Sequence, residues 1–197
     1  MPDDVLRWHA ECRVVKFAPA TVLDMIRHVG REPVGHEIAD LMHRGVFTPD
    51  DIHHEIGNLL TTAGLNRLTS LFEGAGGAVF NNADAIVGVG SSTTAAAVGD
   101  TALGGNGSTT SAYYQGADVG YPTQSGGVIN CNATFATGNA NFAWNEWMLG
   151  IATGTITPGG TFASVGTSPL MFNHKVASLG TKASGAIWTL QATCTIS

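Results

Sequence analysis

Residues 126–150 read GGVINCNATFATGNANFAWNEWMLG, and this stretch decides the fold class. Ile129, Cys131, Ala133 and Phe135 alternate with Val128, Asn130, Asn132 and Thr134. A period of two is the pattern of a strand with one face buried. Gly138-Asn139 then marks a short turn. Beyond it Phe142, Trp144, Glu146 and Met148 share one face, and Ala143, Asn145 and Trp147 the other. Large apolar groups on both faces predict a return strand covered on both sides. The whole stretch reads as a β-hairpin, and it carries no catalytic signature.

Working outward, the same alternation returns several times. Trp188, Leu190, Ala192, Cys194 and Ile196 alternate with Thr189, Gln191, Thr193, Thr195 and Ser197. Leu6, Trp8, Ala10, Cys12 and Val14 alternate with Arg7, His9, Glu11 and Arg13, in an opening strand that ends near Phe17 before Pro19. Residues 83–89, 112–117 and 170–179 complete the set, the second carrying Tyr113 and Tyr114. Short strands joined by Gly-rich connections predict a mainly β protein, an antiparallel β-sandwich of jelly-roll-like type. Residues 93–111 and 153–168 read as long Gly/Thr-rich loops, which in a small domain tend to make contacts.

The helical signals lie early. Val22, Met25, Ile26 and Val29 mark one face of a short helix ended by Gly30. Ile38, Leu41 and Met42 mark a second, over 36–44, ended by Gly45. Thr48-Pro49-Asp50-Asp51 has the order of a helix start, with an N-cap, a first-turn proline and acids at the positive end. Residues 52–56 fit either that helix or a short strand. Asn58 opens a firmer helix through Leu59, Leu60, Ala63, Leu68, Leu71 and Phe72 to Gly74. The expected organisation is an opening strand over 1–17, a helical insert over 18–57 and a β-sandwich domain over 58–197.

Charge divides along the same line. Of 9 Lys/Arg and 15 Asp/Glu in the chain, only Arg67, Lys175 and Lys182 and five acids lie beyond residue 57. Charged residues make up 12% of the sequence, about half of the usual quarter. A surface so poor in charge suits a protein covered by copies of itself or by partners. The net charge of -6 argues against nucleic-acid binding. No apolar run reaches membrane-spanning length, and the opening Met-Pro-Asp-Asp-Val is too polar for a secretion signal. Cys12, Cys131 and Cys194 are far apart and without CxxC spacing, so they read as buried free thiols, a Cys131–Cys194 bridge being the alternative.

Candidate chemistry is sparse. His36, His43, His53 and His54 stand among Glu37, Asp50, Asp51 and Glu55, but no zinc spacing is present and no metal is expected. On a helix, His53 and His54 would point about 100° apart and would not chelate together. Gly88-Val89-Gly90-Ser91-Ser92 lacks the third glycine of a dinucleotide turn, so no nucleotide cofactor is expected. His174 is the one histidine beyond residue 57 and has no triad partner visible in sequence. Glu146 is the lone acid of the central stretch, a paired buried group or one facing a neighbouring chain. Aromatics at strand spacing are core in the first instance, with a partner or sugar surface as the alternative for Tyr113, Tyr114, Trp144 and Trp147.

Several blocks carry a resemblance. Residues 58–72 (NLLTTAGLNRLTSLF), 80–94 (FNNADAIVGVGSSTT), 141–147 (NFAWNEW) and 173–190 (NHKVASLGTKASGAIWTL) resemble segments of small tailed-bacteriophage structural proteins. The opening strand fits as well, whereas 18–51 is longer and more helical than that group implies. The resemblance implies a virion component and transfers no catalytic residue. It leads to the expectation of a non-enzymatic capsid decoration, or cement, protein, assembled in the host bacterial cytoplasm as a homo-oligomer, a trimer. Such a protein would bind the major capsid protein on the capsid exterior, without nucleic acid or membrane. A tail or fibre protein that touches the host is the alternative. Trp8, His36, His43, His53, His54, Tyr113, Tyr114 and Trp147 are the candidate protein-interface residues. Deleting 18–51 is expected to leave a folded domain that no longer binds shells.

Overall fold

The computed structural model describes residues 7–106, 108–154, 156–162 and 169–197. In chain order the elements are β1 (Trp8–Phe17), α1 (Pro19–Val29), α2 (Gly35–His43), β2 (Asp51–Ile56), β3 (Leu59–Leu60), α3 (Thr62–Phe72) and β4 (Ala85–Gly90). There follow β5 (Ala112–Gly116), β6 (Thr123–Ser125), β7 (Val128–Phe135), β8 (Ala143–Ile151), β9 (Leu170–Met171), β10 (Asn173–Thr181) and β11 (Ile187–Ile196). Two antiparallel sheets stack face to face. The first has the order β2-β1-β11-β7-β6, the second β3-β10-β8-β4-β5 with β9 added beside β8. The expected antiparallel sandwich is therefore the architecture. Its strand order does not by itself make it a jelly roll.

The central stretch forms its two strands but not the hairpin. β7 pairs with β11 and β6, while β8 pairs with β4, β10 and β9. The Gly138-Asn139 segment carries the chain from one sheet to the other. The aromatic rings explain why. Phe135 and Trp144 meet edge to face at 4.7 Å, and Trp144 meets Trp188 of β11 at 4.9 Å. These are contacts across a sandwich core. Cys12, Val14, Cys131 and Leu190 enter the same core from the first sheet, and Val87, Val89, Trp147 and Leu149 from the second. The residue alternation also changes phase inside β8. Opposite it, the register of β10 shifts between Val176 and Gly180. Trp144 and Trp147 thus both face the core, and Glu146, expected on the Trp144 face, turns outward.

Each sheet has a second covering. Odd positions of β1 leave the sandwich core, so Val15 and Phe17 pack with Ile187 against Val22 and Met25 of α1 and Ile38 of α2. The helical insert is therefore a third layer. Deleting 18–51 would expose Val15, Phe17 and Ile187 of the first sheet. On the other side, Leu103, Ala152, Ile156 and Phe162 cover Ile86, Tyr114, Met148 and Met171 of the second sheet.

Two helix signals belong elsewhere. Residues 48–50 start no helix. Asp50 accepts from Ala18 N–H at 2.7 Å and Thr21 Oγ1 at 3.0 Å, so its charge serves the N-terminus of α1. The following residues pair with β1 as an edge strand, with Val14 opposite His53. His53 and His54 accordingly sit on opposite faces of a strand, not on a helix. Asn58 does not open α3. Its Oδ1 accepts from Trp8 Nε1 at 2.9 Å, and Thr61 is the cap, its Oγ1 accepting from Gly64 N–H at 3.0 Å. Gly64 is there because α3 crosses the Phe172 backbone so closely that a Cβ would overlap it. Leu6 of the opening strand, and residues 163–168 of the second loop, lie outside the described residues.

Candidate functional site

The tightest polar constellation joins residues that sequence left single. His174 is the second residue of β10 and Glu146 stands on β8, both in contact with the segment that follows β4. His174 Nε2 lies 3.0 Å from Glu146 Oε2, and Nδ1 lies 2.7 Å from Asp100 Oδ2. Glu146 is fully buried and accepts three further bonds. Ser92 N–H and Gly105 N–H reach Oε1 at 3.2 Å each, and Gly104 N–H reaches Oε2 at 2.9 Å. Asp100 also accepts from Ala97 N–H at 2.8 Å. Gly90 of β4, adjacent to Glu146 in register, is required by this packing, because a Cβ there would overlap the carboxylate. Gly88 is needed in the same way against Met148 and Tyr114. Gly88 and Gly90 thus lie within strand β4, not in a turn, and serve side-chain packing.

Two carboxylates facing the two ring nitrogens call for an imidazolium, since a neutral ring would leave one lone pair against an acceptor. Burial opposes that charge, yet the hydrogen bonds and charges of Glu146 and Asp100 outweigh it and raise the His174 pKa. Burial likewise opposes the Asp100 carboxylate, but Ala97 N–H and His174 prevail and lower its pKa. With both nitrogens committed, His174 has none free to take a proton from a hydroxyl. The constellation acts as a clamp that pins the loop to the sheet at Ser92, Asp100 and Gly104–Gly105.

A second polar site is less saturated. A cleft of about 380 Å³ lies between the start of α2, the end of β7 and the Pro158–Gly159 turn, lined by Glu32, His36, Gln115, Asp118, Thr134 and Asn139 among others. Asp118 accepts from Thr134 N–H at 3.2 Å and Thr134 Oγ1 at 2.8 Å, and is only 6% exposed. Burial, partly offset by Thr134 and by His36, pushes its pKa up to about 6. Gln115 donates to Gly159 O, while its buried Oε1 has no hydrogen-bond partner among the described residues. Glu32 accepts from Thr137 N–H at 2.7 Å and Thr137 Oγ1 at 2.9 Å.

A third feature is apolar. Under α3, Trp8, Leu68, Phe80, Ile129, Leu149 and Phe172 line a groove of about 260 Å³ with Leu71, Val79 and Cys194. At the end of α3, Phe72 is 85% exposed, with exposed Leu65, Leu71 and Val79 in the same region of the chain.

The structure scatters the sequence candidates. Trp147 is fully buried and Tyr114 nearly so, its hydroxyl donating to Asn106 Oδ1 at 2.9 Å, so neither ring can face a partner. Tyr113 is half-buried, bonded to Thr161 Oγ1 at 2.7 Å. Trp8 is half-buried in the groove wall. His36 opens α2 at the cleft and His43 closes the same helix, exposed. His53 is half-buried on β2, and His54 is exposed, 3.1 Å from Glu11 Oε2. Among the described residues, no three of His, Cys, Asp and Glu form a group able to hold a metal. All three cysteines are free and buried, which leaves the Cys131–Cys194 bridge unformed. Sequence reading missed Asp100, Gln115, Asp118 and exposed Phe72. Asp100 and His174 lie 74 positions apart, and no spacing signal spans that distance. No protein-family model, curated protein or solved structure matches this chain.

Proposed function

We propose that the chain is a bacteriophage virion structural protein, a capsid decoration (cement) protein that binds the outer shell as a homo-oligomer and ties neighbouring capsomers together. The observation that carries this reading is the apolar end of α3. Phe72, 85% exposed, follows Leu71 at the end of α3, and the exposed Leu71 and Val79 line an apolar groove. Contiguous apolar surface of this kind is characteristic of faces that a neighbour covers. The charge-poor sequence beyond residue 57 and the resemblance of the blocks at 58–72, 80–94, 141–147 and 173–190 point the same way. The mechanism is burial of surface shared between shell subunits, which adds binding energy where packaged DNA pulls them apart. At about 25 cal/mol per Å², each 100 Å² of apolar surface covered would contribute about 2.5 kcal/mol before association costs.

Quantitative mass spectrometry of purified particles tests the reading. Hundreds of copies per particle are expected for a shell component. A handful would move the chain to the tail, and absence from particles would end the virion assignment.

A further inference from the structure

The cleft at Asp118 holds two carboxylates and one buried acceptor without a donor among the described residues. Gln115 is one of the residues lining the cleft and is 2% exposed, and its buried Oε1 has no partner among the described residues. Leaving such an acceptor dry costs about 1–3 kcal/mol, so a site that keeps one is shaped for a donor. Asp118 adds a carboxylate 6% exposed, with Thr134 as its hydrogen-bond donor. Glu32 adds a second carboxylate. No lysine or arginine is among the residues lining the cleft. Lys182, whose charge acts on Glu32, is held instead by Ala136 O and Asn141 Oδ1, each at 2.8 Å.

This chemistry selects the occupant. An anion would meet two carboxylates. A sugar would find no aromatic face other than the His36 ring. A metal ion lacks a set of three ligating side chains here. A cation carrying several N–H groups meets every requirement, because a guanidinium has five donors in a planar fork and stays charged. The volume, about 380 Å³, is at the small end of ligand sites and holds one side-chain head group.

We infer that the cleft between α2, β7 and the Pro158–Gly159 turn binds the guanidinium of an arginine side chain presented by a partner protein, with Asp118 and Gln115 Oε1 as its acceptors. This rests on the virion reading for the partner, but the cation site itself does not depend on it. An arginine seated there would lock the chain in register on a neighbour, while the apolar end of α3 supplies area.

The test has two arms. In the first, N-acetyl-arginine amide and its citrulline analogue are titrated into the pure protein, with the Gln115 side-chain amide and the Thr134 and Gly159 backbone amides followed by NMR. Saturable shifts are expected for arginine, with citrulline at least tenfold weaker. Binding should weaken as pH falls through the Asp118 value of about 6. Asp118→Asn should weaken arginine binding at least tenfold. Equal binding of citrulline, or no saturable shift in the wild type, overturns the cation site, and neither result depends on how the variant folds. In the second arm, wild type and Asp118→Asn are added to particles stripped of this chain. At least tenfold weaker attachment of the variant supports the partner arginine. Unchanged attachment overturns it, leaving a site for a free guanidine compound. Failure of wild type itself to attach removes the virion reading and the partner arginine with it, while the first arm still decides the cation site.

Discussion

His174 holds Glu146 through Nε2 at 3.0 Å while its other nitrogen holds Asp100 at 2.7 Å, so one imidazole ties the 91–111 loop to the middle of a sheet. Glu146 is fully buried with four donors on its two oxygens. Removing its charge leaves a buried imidazolium facing Asp100 alone, and breaking a buried pair costs about 3–5 kcal/mol. Glu146→Gln should lower stability by that order in urea denaturation. A loss below about 1 kcal/mol would show that the clamp contributes little.

The same clamp sets a pH window. The His174 pKa is raised in the folded chain, so its contribution is complete below the unfolded value of about 6.5 and is lost as pH rises through the raised value. The Asp100 pKa is lowered, so its contribution is complete above about 3.9 and is lost as pH falls through the lowered value. The difference in stability between wild type and His174→Gln should therefore be widest between about pH 4 and 6.5 and shrink on the alkaline side. A difference that stays constant from pH 5 to 9 would contradict a charged His174.

Asp118 works in the opposite sense. Its pKa rises from 3.8 to about 6 in the folded chain, so the native state binds more protons than the unfolded chain between those values. Stability should fall as pH climbs from about 4 to 6 and then level, with an upper bound of about 3 kcal/mol for a shift of this size. Asp118→Asn should remove that slope when urea midpoints are compared across the window. Persistence of the slope in the variant would assign it to another carboxylate.

What could be read from sequence followed local rules. β1, α1, α2 and β11 stand almost where alternation and the Gly30 and Gly45 breaks put them, because each buries a face set by its own period. The misreadings were tertiary. Phe135 and Trp144 look like hairpin neighbours, and only sheet pairing with β11 and β4 shows that they meet across a core. Asp50 has the chemistry of a cap and is one, but for a helix that begins 31 positions before it. His174 and Glu146 each stand single in sequence, since the segment that brings Asp100 to them has no periodicity to read.

Glycine supplies a sharper probe of the clamp than charge removal. A Cβ at Gly90 would overlap the Glu146 carboxylate, whereas nothing lies within 4 Å of a Cβ at Gly99 in the same loop region. Gly90→Ala should therefore displace Glu146 and cost about 1–3 kcal/mol, as overpacking does in other cores. Gly99→Ala should be neutral within about 0.5 kcal/mol. Thermal melts of the pair decide it, and equal melting points would mean that the sheet yields at Gly90 without disturbing the carboxylate.

The exposed end of α3 separates assembly from folding. Phe72 is 85% exposed, so Phe72→Ser removes little packing and should change stability by no more than about 0.5 kcal/mol. Phe172, 6% exposed and edge to face with Phe80 at 5.4 Å, lies in the groove wall and the core, and Phe172→Ala should cost about 3–5 kcal/mol. If the apolar end of α3 is a covered face, Phe72→Ser should reduce attachment to particles at least tenfold while its melting curve overlays that of the wild type. Unchanged attachment would place the shell-binding face elsewhere on the molecule. The comparison is clean because the two phenylalanines differ in burial and not in chemistry. Loss of attachment in Phe172→Ala alone would report unfolding, and loss in Phe72→Ser alone would report the interface.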